Sequence, residues 1–585
     1  MTRAETDTAR TSAQARPAEV QGAPREAAQE LVAILADEGV RHLFFNPGTD
    51  TAPIQEALAD AREHGLPHPE SVLCTHELVA LSAALGHHLI SGRPQALMVH
   101  VDAGTLNLGG AIHNIQRNHI PVVAMAGRSP YSLRPDVPGH RDSAIHWQQE
   151  QPDQPAVMRA YGKWNMEVPR GRELGSLVRR AFQVAGAAPA GLTYLMLPRE
   201  TLMEPGGDPT RHQTLPKTPA PDPQGLEELA KHLAAAERPV IVADRVGRRP
   251  ESVDVLVGIA ELLGAPVLEG RDSVNFPSEH ALYGGPKAST LLRRADVVLL
   301  LGSEVPWVPA IAAPPPDATI LQIDVDCVKA SMPSWSYPIR LSLTADPATA
   351  LPALLAELDR LGDGERRQVW SRQRAEAERE VAALHEDWRR RASSPEPADT
   401  VDAMLAALDR ALPPDTITVE EAVTNSPAVM RQLHRPPGRH FGVGAPALGG
   451  GLGAAMGAKL ADPDAAVFAI TGDGAFNFGV PTSAIWAAHR AGAPFVTVIL
   501  DNGTYLASRM PVERLFPEGS ARRRNDFPET RLGSPIDYPA LARSCGGEGI
   551  VVESPDQMGE AVQRAVAALA EGRCTVIDAV LPSPP

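Results

Sequence analysis

The stretch Ala466-Val467-Phe468-Ala469-Ile470-Thr471-Gly472-Asp473-Gly474-Ala475-Phe476-Asn477 is followed by Asp501-Asn502-Gly503-Thr504, with 26 residues between Gly474 and Asp501. The first opens as an apolar, partly β-branched run and closes on an aspartate between two glycines. The second ends another such run, Phe495-Val496-Thr497-Val498-Ile499-Leu500, and a helix-forming segment near 482–490 lies between them. Short apolar runs flanking an amphipathic stretch read as a strand–helix–strand unit with buried parallel strands. Such a unit returns the chain beside its start, and open α/β sheets place their ligands at strand C-termini. Gly472 and Gly474 are expected to let the backbone turn sharply and approach a ligand. Asp473, the Asn502 amide oxygen and the Thr504 carbonyl can then share one Mg²⁺ ion, in an oxygen-ligand site that also holds phosphate oxygens. Each motif alone reads equally well as a turn.

The same alternation extends through the chain. Leu97-Met98-Val99 and Pro121–Met125 read as strands, and 77–90 as an amphipathic helix with Leu78, Leu81, Leu85 and Leu89 on one face. Further on, Pro239–Val242, Asp296–Leu301 and Thr319–Ile323 read as strands. Pro-rich seams at 204–224 and about 392–399, the second after a charged helical run from Arg366 to Arg391, divide the chain. The expected fold class is α/β, with three doubly wound parallel-sheet domains. The expected division is a tail at 1–24, a first domain at 25–203, a linker at 204–224, a middle domain at 225–360, a helical linker at 361–399 and a last domain at 400–585.

A chain of 585 residues exceeds what one core holds, and 43% hydrophobic with 22% charged residues is ordinary globular composition. A net charge of −16 argues against nucleic acid as a partner, because phosphate backbones demand a concentrated basic surface. Four scattered cysteines form no CxxC pair, no stretch approaches a membrane span, and the first 24 residues lack the apolar core of a signal peptide. A cytoplasmic protein with no membrane partner is expected.

The pairing of Gly472-Asp473-Gly474 with Asn502 resembles the signature of thiamine-diphosphate (ThDP) enzymes, in which GDG is followed one strand later by two asparagines. Asp501 stands where the first of those asparagines belongs. The resemblance assigns metal ligation to the second, so Asp473, Asn502 and Thr504 keep the Mg²⁺ role, and Gly472, Gly474 and Ala475 adjoin the cofactor. In the segment Gly442–Gly457, Leu448 matches the apolar residue that props the cofactor in its bent shape. Thr424 and Asn425 fall where relatives set polar groups against the diphosphate, and both are equally turn residues. His76-Glu77 resembles the family's His-Glu pair, whose carboxyl hydrogen-bonds the aminopyrimidine and makes it a competent base. Taken alone, Glu77 is an acidic residue in a helix first turn, favoured by the macrodipole. Asp102-Ala103-Gly104-Thr105-Leu106-Asn107 and Ile120–Gly127 follow in the order of the family's pyrimidine-binding domain. The likeness spans about residues 25–585, as pyrimidine-binding, middle and diphosphate-binding domains of the acetolactate synthase/benzoylformate decarboxylase branch. It implies a homodimer or homotetramer with active sites at the subunit interface.

Which reaction is run depends on fewer residues. His100, 23 residues after Glu77, occupies the place of a proton-shuttling histidine in benzoylformate decarboxylase-like enzymes. Thr49, in Asn46-Pro47-Gly48-Thr49, falls where those enzymes carry a substrate-binding serine. Pro309 stands where a second catalytic histidine would be, while His146-Trp147-Gln148-Gln149-Glu150 resembles a Gln-Glu phrase of acetolactate synthases. The resemblance therefore implies a ThDP- and Mg²⁺-dependent lyase or carboligase acting on a 2-oxo acid. The alternatives are a simple 2-oxo acid decarboxylase, a 2-hydroxyacyl-CoA lyase acting on an acyl-CoA, and a ThDP-fold regulatory subunit without turnover. FAD or a nucleotide occupies the middle domain of some relatives, and nothing in this sequence demands either.

Overall fold

The computed structural model describes residues 25–270, 272–287, 289–443, 447–532 and 536–583; the expected tail at 1–24 lies outside them. Three six-stranded sheets organise the chain, and every pairing within them is parallel. The first holds β1 (His42–Phe45), β2 (Glu70–Leu73), β3 (Gln95–Val99), β4 (Val122–Arg128), β5 (Trp164–Glu167) and β6 (Leu192–Pro198), in the order β2-β1-β3-β4-β6-β5. The middle sheet holds β7 (Pro239–Ala243), β8 (Val267–Glu269), β9 (Tyr283–Pro286), β10 (Val297–Leu301), β11 (Thr319–Asp324) and β12 (Ile339–Thr344), ordered β12-β11-β10-β7-β8-β9. The third holds β13 (Ile417–Glu421), β14 (His440–Gly442), β15 (Val467–Gly472), β16 (Val496–Asp501), β17 (Glu548–Val552) and β18 (Thr575–Val580), ordered β14-β13-β15-β16-β18-β17. Central strands such as β7, β10 and β6 are buried at every residue. Helices cover both faces of these sheets, so their strands read as continuous apolar runs. Among the described residues no helix is long and apolar enough to cross a membrane.

One correction concerns the helix expected to be amphipathic. Residues Glu77–Ser91 form it, but every residue from Glu77 to His87 is buried. A helix buried all round lies inside the molecule. Its second face, carrying Ala80, Ala83, Ala84 and Gly86, packs on the helix Gly451–Ala461, and one core runs continuously from the first sheet into the third. Glycines set the closeness of this seam. A Cβ at Gly86 would stand 1.9 Å from the Ala454 carbonyl oxygen, and one at Gly457 would stand 1.9 Å from that of Ala83.

The long charged helix spans Gly364–Ala392, with only Trp370 and Val381 buried. Trp370 Nε1 donates to the Ala234 carbonyl, docking that helix on the middle domain.

Candidate active site

Three phrases singled out in the sequence converge on one carboxylate. Glu77 begins its helix, with His76 as N-cap accepting from the Leu78 amide, and is 4% exposed. Asn46 Nδ2 donates to Glu77 Oε1 at 2.8 Å and Asn107 Nδ2 donates to Oε2 at 3.0 Å. Gly104 closes the third side, since a Cβ there would reach Oε1 at 3.0 Å. The carboxylate is thus fixed in orientation by neutral donors rather than neutralised by a cation. Asn46 and Asn107 were not recognised as its holders, although both sit in the quoted motifs.

His100 follows β3 and lies in a second cluster beside the first. Its Nδ1 is hydrogen-bonded to Asp50 Oδ1, and its Nε2 lies 3.1 Å from Gln149 Oε1. The Asp50 bond, ahead of burial acting the other way, raises the His100 pKa above its ordinary value. The other Asp50 oxygen accepts from the Val101 amide at 3.3 Å, and Thr105 Oγ1 donates to the Val101 carbonyl at 2.6 Å. Val101 has φ +33, a conformation costly for a β-branched residue that persists only where its surroundings enforce it. Asp50, 1% exposed, therefore aims both the His100 ring and the peptide after it. Gly48 and Gly127 leave the room: a Cβ on Gly48 would overlap the His100 ring, and one on Gly127 the Asp50 carboxylate. Thr49 Oγ1 is hydrogen-bonded to His146 Nε2 at 3.2 Å, and its carbonyl accepts from Arg199. Asp50 was missed although it follows Thr49 directly; Gln149 lay inside a quoted phrase without a role.

The remaining candidates gather at the C-terminal ends of β13, β15 and β16. Asp473 is 3% exposed; its Oδ1 accepts from the Gly474 amide at 2.8 Å, and its Oδ2 has no partner. Burial, with the Asp501 carboxyl beside it, pushes the Asp473 pKa up to about 7. Asn502 and Thr504 are buried; Asn502 Oδ1 accepts from the Thr504 amide at 2.9 Å, and the Thr504 carbonyl accepts from Leu506. Thr424 and Asn425 lie half-buried in the turn after β13, and Ala475 is buried in the turn of helix after Asp473. Leu448 is half-buried beside Ala447, whose backbone exchanges two hydrogen bonds with the Asn114 side chain; Gly444, Ala445 and Pro446 of the glycine-rich segment lie outside the described residues. The sharp turn expected at Gly472 is not found. Its φ of −84 is open to any residue and nothing stands within 4 Å of a Cβ there, whereas a Cβ on Gly474 would strike the Tyr505 ring at 2.5 Å. Glu421, also missed, accepts from the Gly449, Gly450 and Gly451 amides and caps the seam helix, with burial raising its pKa to about 7.

The first two clusters share one sheet and the third lies on another. Among the described residues no hydrogen bond or ion pair joins Glu77 or His100 to Asp473, Asn502 or Thr504 within one chain.

Residues 25–157 match the thiamine pyrophosphate enzyme N-terminal TPP binding domain, 226–354 its central domain, and 422–579 its C-terminal TPP binding domain. The chain belongs to the thiamine pyrophosphate enzymes. Curated relatives of this ThDP enzyme include a benzoylformate decarboxylase of Pseudomonas aeruginosa, 29% identical over 92% of this chain and 95% of the relative. An acetolactate synthase of Bacillus subtilis is 25% identical, covering 92% of this chain and 90% of the relative. The fold is shared with the Rhodococcus jostii thiamine diphosphate-dependent 4-hydroxybenzoylformate decarboxylase, at TM-score 0.77 and 24% identity over 96% of this chain and 100% of that one.

The residues present fit the groups this family uses. Asp473 Oδ2 is a buried oxygen without a partner, and no Lys or Arg among the described residues pairs with Asp473 or Asp501. No three His, Cys, Asp or Glu side chains among them could hold a metal together, so a cation here needs amide and carbonyl oxygens as well. The middle sheet differs. At its switch point, between β7 and β10, polar side chains pair with one another: Lys287 with Asp244, and Ser303 Oγ donating to Asp244 at 2.6 Å. Beside them Glu304 takes Arg245, Lys329 and His119 of the first domain, which outweigh burial and hold its carboxyl well below the usual range.

Proposed function

We propose that this ThDP enzyme binds its cofactor through Mg²⁺ and cleaves the carbon–carbon bond of a 2-oxo acid, releasing CO₂ and passing the acyl unit to a proton or to a second carbonyl compound. The reading is carried by His100, a histidine aimed by a buried carboxylate beside the site of the activating glutamate. Thiamine diphosphate, when bound, supplies the electron sink for the broken bond. Asp473, the Asn502 side chain and the Thr504 carbonyl are assigned to the cation. Gly472, Gly474, Ala475, Thr424 and Asn425 are assigned to the diphosphate, and Leu448 to the support of the cofactor. Glu77, held by Asn46 and Asn107, presents its carboxyl to the aminopyrimidine. Asp50 takes His100 Nδ1, which leaves Nε2 to give or take the substrate proton, with Gln149 as its resting partner. The Thr49 hydroxyl, steadied by His146, is assigned to the substrate carboxylate.

Because the two halves of the site lie on different sheets with no bond between them in one chain, we assign their union to a homodimer or homotetramer, with Glu77 facing Asp473 of the partner subunit. The internally paired charges of the middle sheet support a 2-oxo acid over an acyl-CoA substrate, since at the place where a nucleotide would lie they are paired with one another.

Incubation of the protein with ThDP, Mg²⁺ and either pyruvate or an aromatic 2-oxo acid should yield CO₂ with an aldehyde or ligated product, read by mass spectrometry. Protein that holds ThDP yet converts neither acid would move the assignment to 2-hydroxyacyl-CoA. Asp50→Asn tests the proton path. Asp50 raises the His100 pKa, so without its charge His100 loses its proton at lower pH. The limb of the kcat profile that reports protonated His100 should move to lower pH, while Gln149→Ala should weaken the shift without abolishing the limb. A profile unmoved by Asp50→Asn would remove His100 from proton transfer.

A further inference from the structure

Asp501 replaces an asparagine of the family pattern, and its surroundings give that replacement a consequence. In the parallel register of β15 and β16, Gly472 stands opposite Leu500, which sets the next residues, Asp473 and Asp501, side by side. Asp501 Oδ1 accepts from the Gly503 amide at 2.9 Å. On the neighbouring strand, Asp578 pairs in register with Ile499, which points its side chain to the same face as Asp501. Two oxygens in this corner, Asp473 Oδ2 and Asp578 Oδ1, have no partner although their residues are 3% and 8% exposed. Among the described residues none of the three carboxylates has an ion-pair partner. The corner is therefore richer in negative charge than a diphosphate requires, and it lacks a counter-charge.

We propose that Asp501 is a second carboxylate ligand for the divalent cation, so that this protein captures the cation without waiting for the diphosphate. The proposal rests on the assignment of Asp473 and Asn502 to that cation. Hard cations bind in proportion to the count of charged oxygens. With one aspartate, the phosphate oxygens supply most of the charge and the cation arrives with them. With two adjacent aspartates, and Asp578 adding its field from the next strand, the protein alone supplies the charge of a cation site. Cation loading then also removes the repulsion that Asp501 would exert on an incoming diphosphate.

The test is a Mn²⁺ titration of the full-length protein freed of ThDP, followed by the electron paramagnetic resonance signal of free Mn²⁺, and repeated with ThDP present. The wild type should bind one Mn²⁺ per chain without ThDP. Asp501→Asn, which restores the family residue at nearly equal volume, should weaken that ThDP-free binding at least tenfold while still loading Mn²⁺ when ThDP is added. Asp473→Asn should impair both. Wild-type protein that takes no Mn²⁺ without ThDP, or Asp501→Asn that binds it as the wild type does, overturns the proposal and leaves the ligand assignment intact. Asp473→Asn that binds Mn²⁺ normally in both conditions overturns the ligand assignment itself.

Discussion

Replacing Glu77 by Gln is expected to cut turnover of a 2-oxo acid by roughly 10⁴-fold, the upper end of what a positioned acid–base group contributes. ThDP affinity and melting temperature should stay close to the wild type. Gln has the volume of Glu, and the two donors that hold the side chain are amides that can rotate to offer an oxygen, so the buried pocket remains satisfied. What is lost is the proton that a carboxyl shares with a ring nitrogen, which an amide cannot replace. Steady-state rates beside ThDP binding by fluorescence separate these effects. Turnover within tenfold of wild type would remove Glu77 from the mechanism.

The second large effect is on stability. Gly457→Ala should destabilise the protein by about 3 kcal/mol, the upper range for overpacking a close-fitted core. Alanine is the better helix former by about 1 kcal/mol, so propensity alone would give the opposite sign. The obstacle is the Ala83 carbonyl oxygen, 1.9 Å from the new Cβ, and a backbone atom in a buried helix cannot swing aside. Gly559→Ala is the matched comparison: it also lies in a helix, Met558–Ala570, with nothing within 4 Å of its Cβ. That variant should gain up to about 1 kcal/mol. Thermal unfolding of the pair decides the matter; equal responses would mean that the seam opens readily and does not hold the first and third sheets together.

The sequence made the sheets legible where burial is complete. The runs at 239–242, 296–301, 319–323 and 495–500 stand within a residue or two of β7, β10, β11 and β16, because strands covered on both faces carry mostly apolar side chains. The edge strands β2 and β5, Glu-Ser-Val-Leu and Trp-Asn-Met-Glu, gave no such signal: they are short and partly exposed. The motifs placed Glu77, His100, Asp473 and Asn502 at strand or helix ends. They did not disclose Asn46, Asp50 or Asn107, because pairing between residues some 30 to 50 positions apart is decided by strand order rather than by local pattern. Gly86 and Gly457 were unreadable for a related reason: a helical glycine records a neighbour's carbonyl that one segment alone does not contain.

The strand orders of the first and third sheets hold a further consequence. Both run second-first-third-fourth-sixth-fifth, and in each the helix of the seam follows the second strand. Ala83 and Gly457, the seventh residues of those two helices, meet each other, while Gly86, the tenth of one, meets Ala454, the fourth of the other. Together with the shared strand order, the meeting of the two seventh residues relates the first and third sheets by an approximate internal twofold axis through the seam. Under the axis the end of β3 corresponds to the end of β15, and so His100 to Asp473. Equivalent strand ends thus carry a histidine paired with Asp50 in one sheet and an aspartate holding the Gly474 amide in the other.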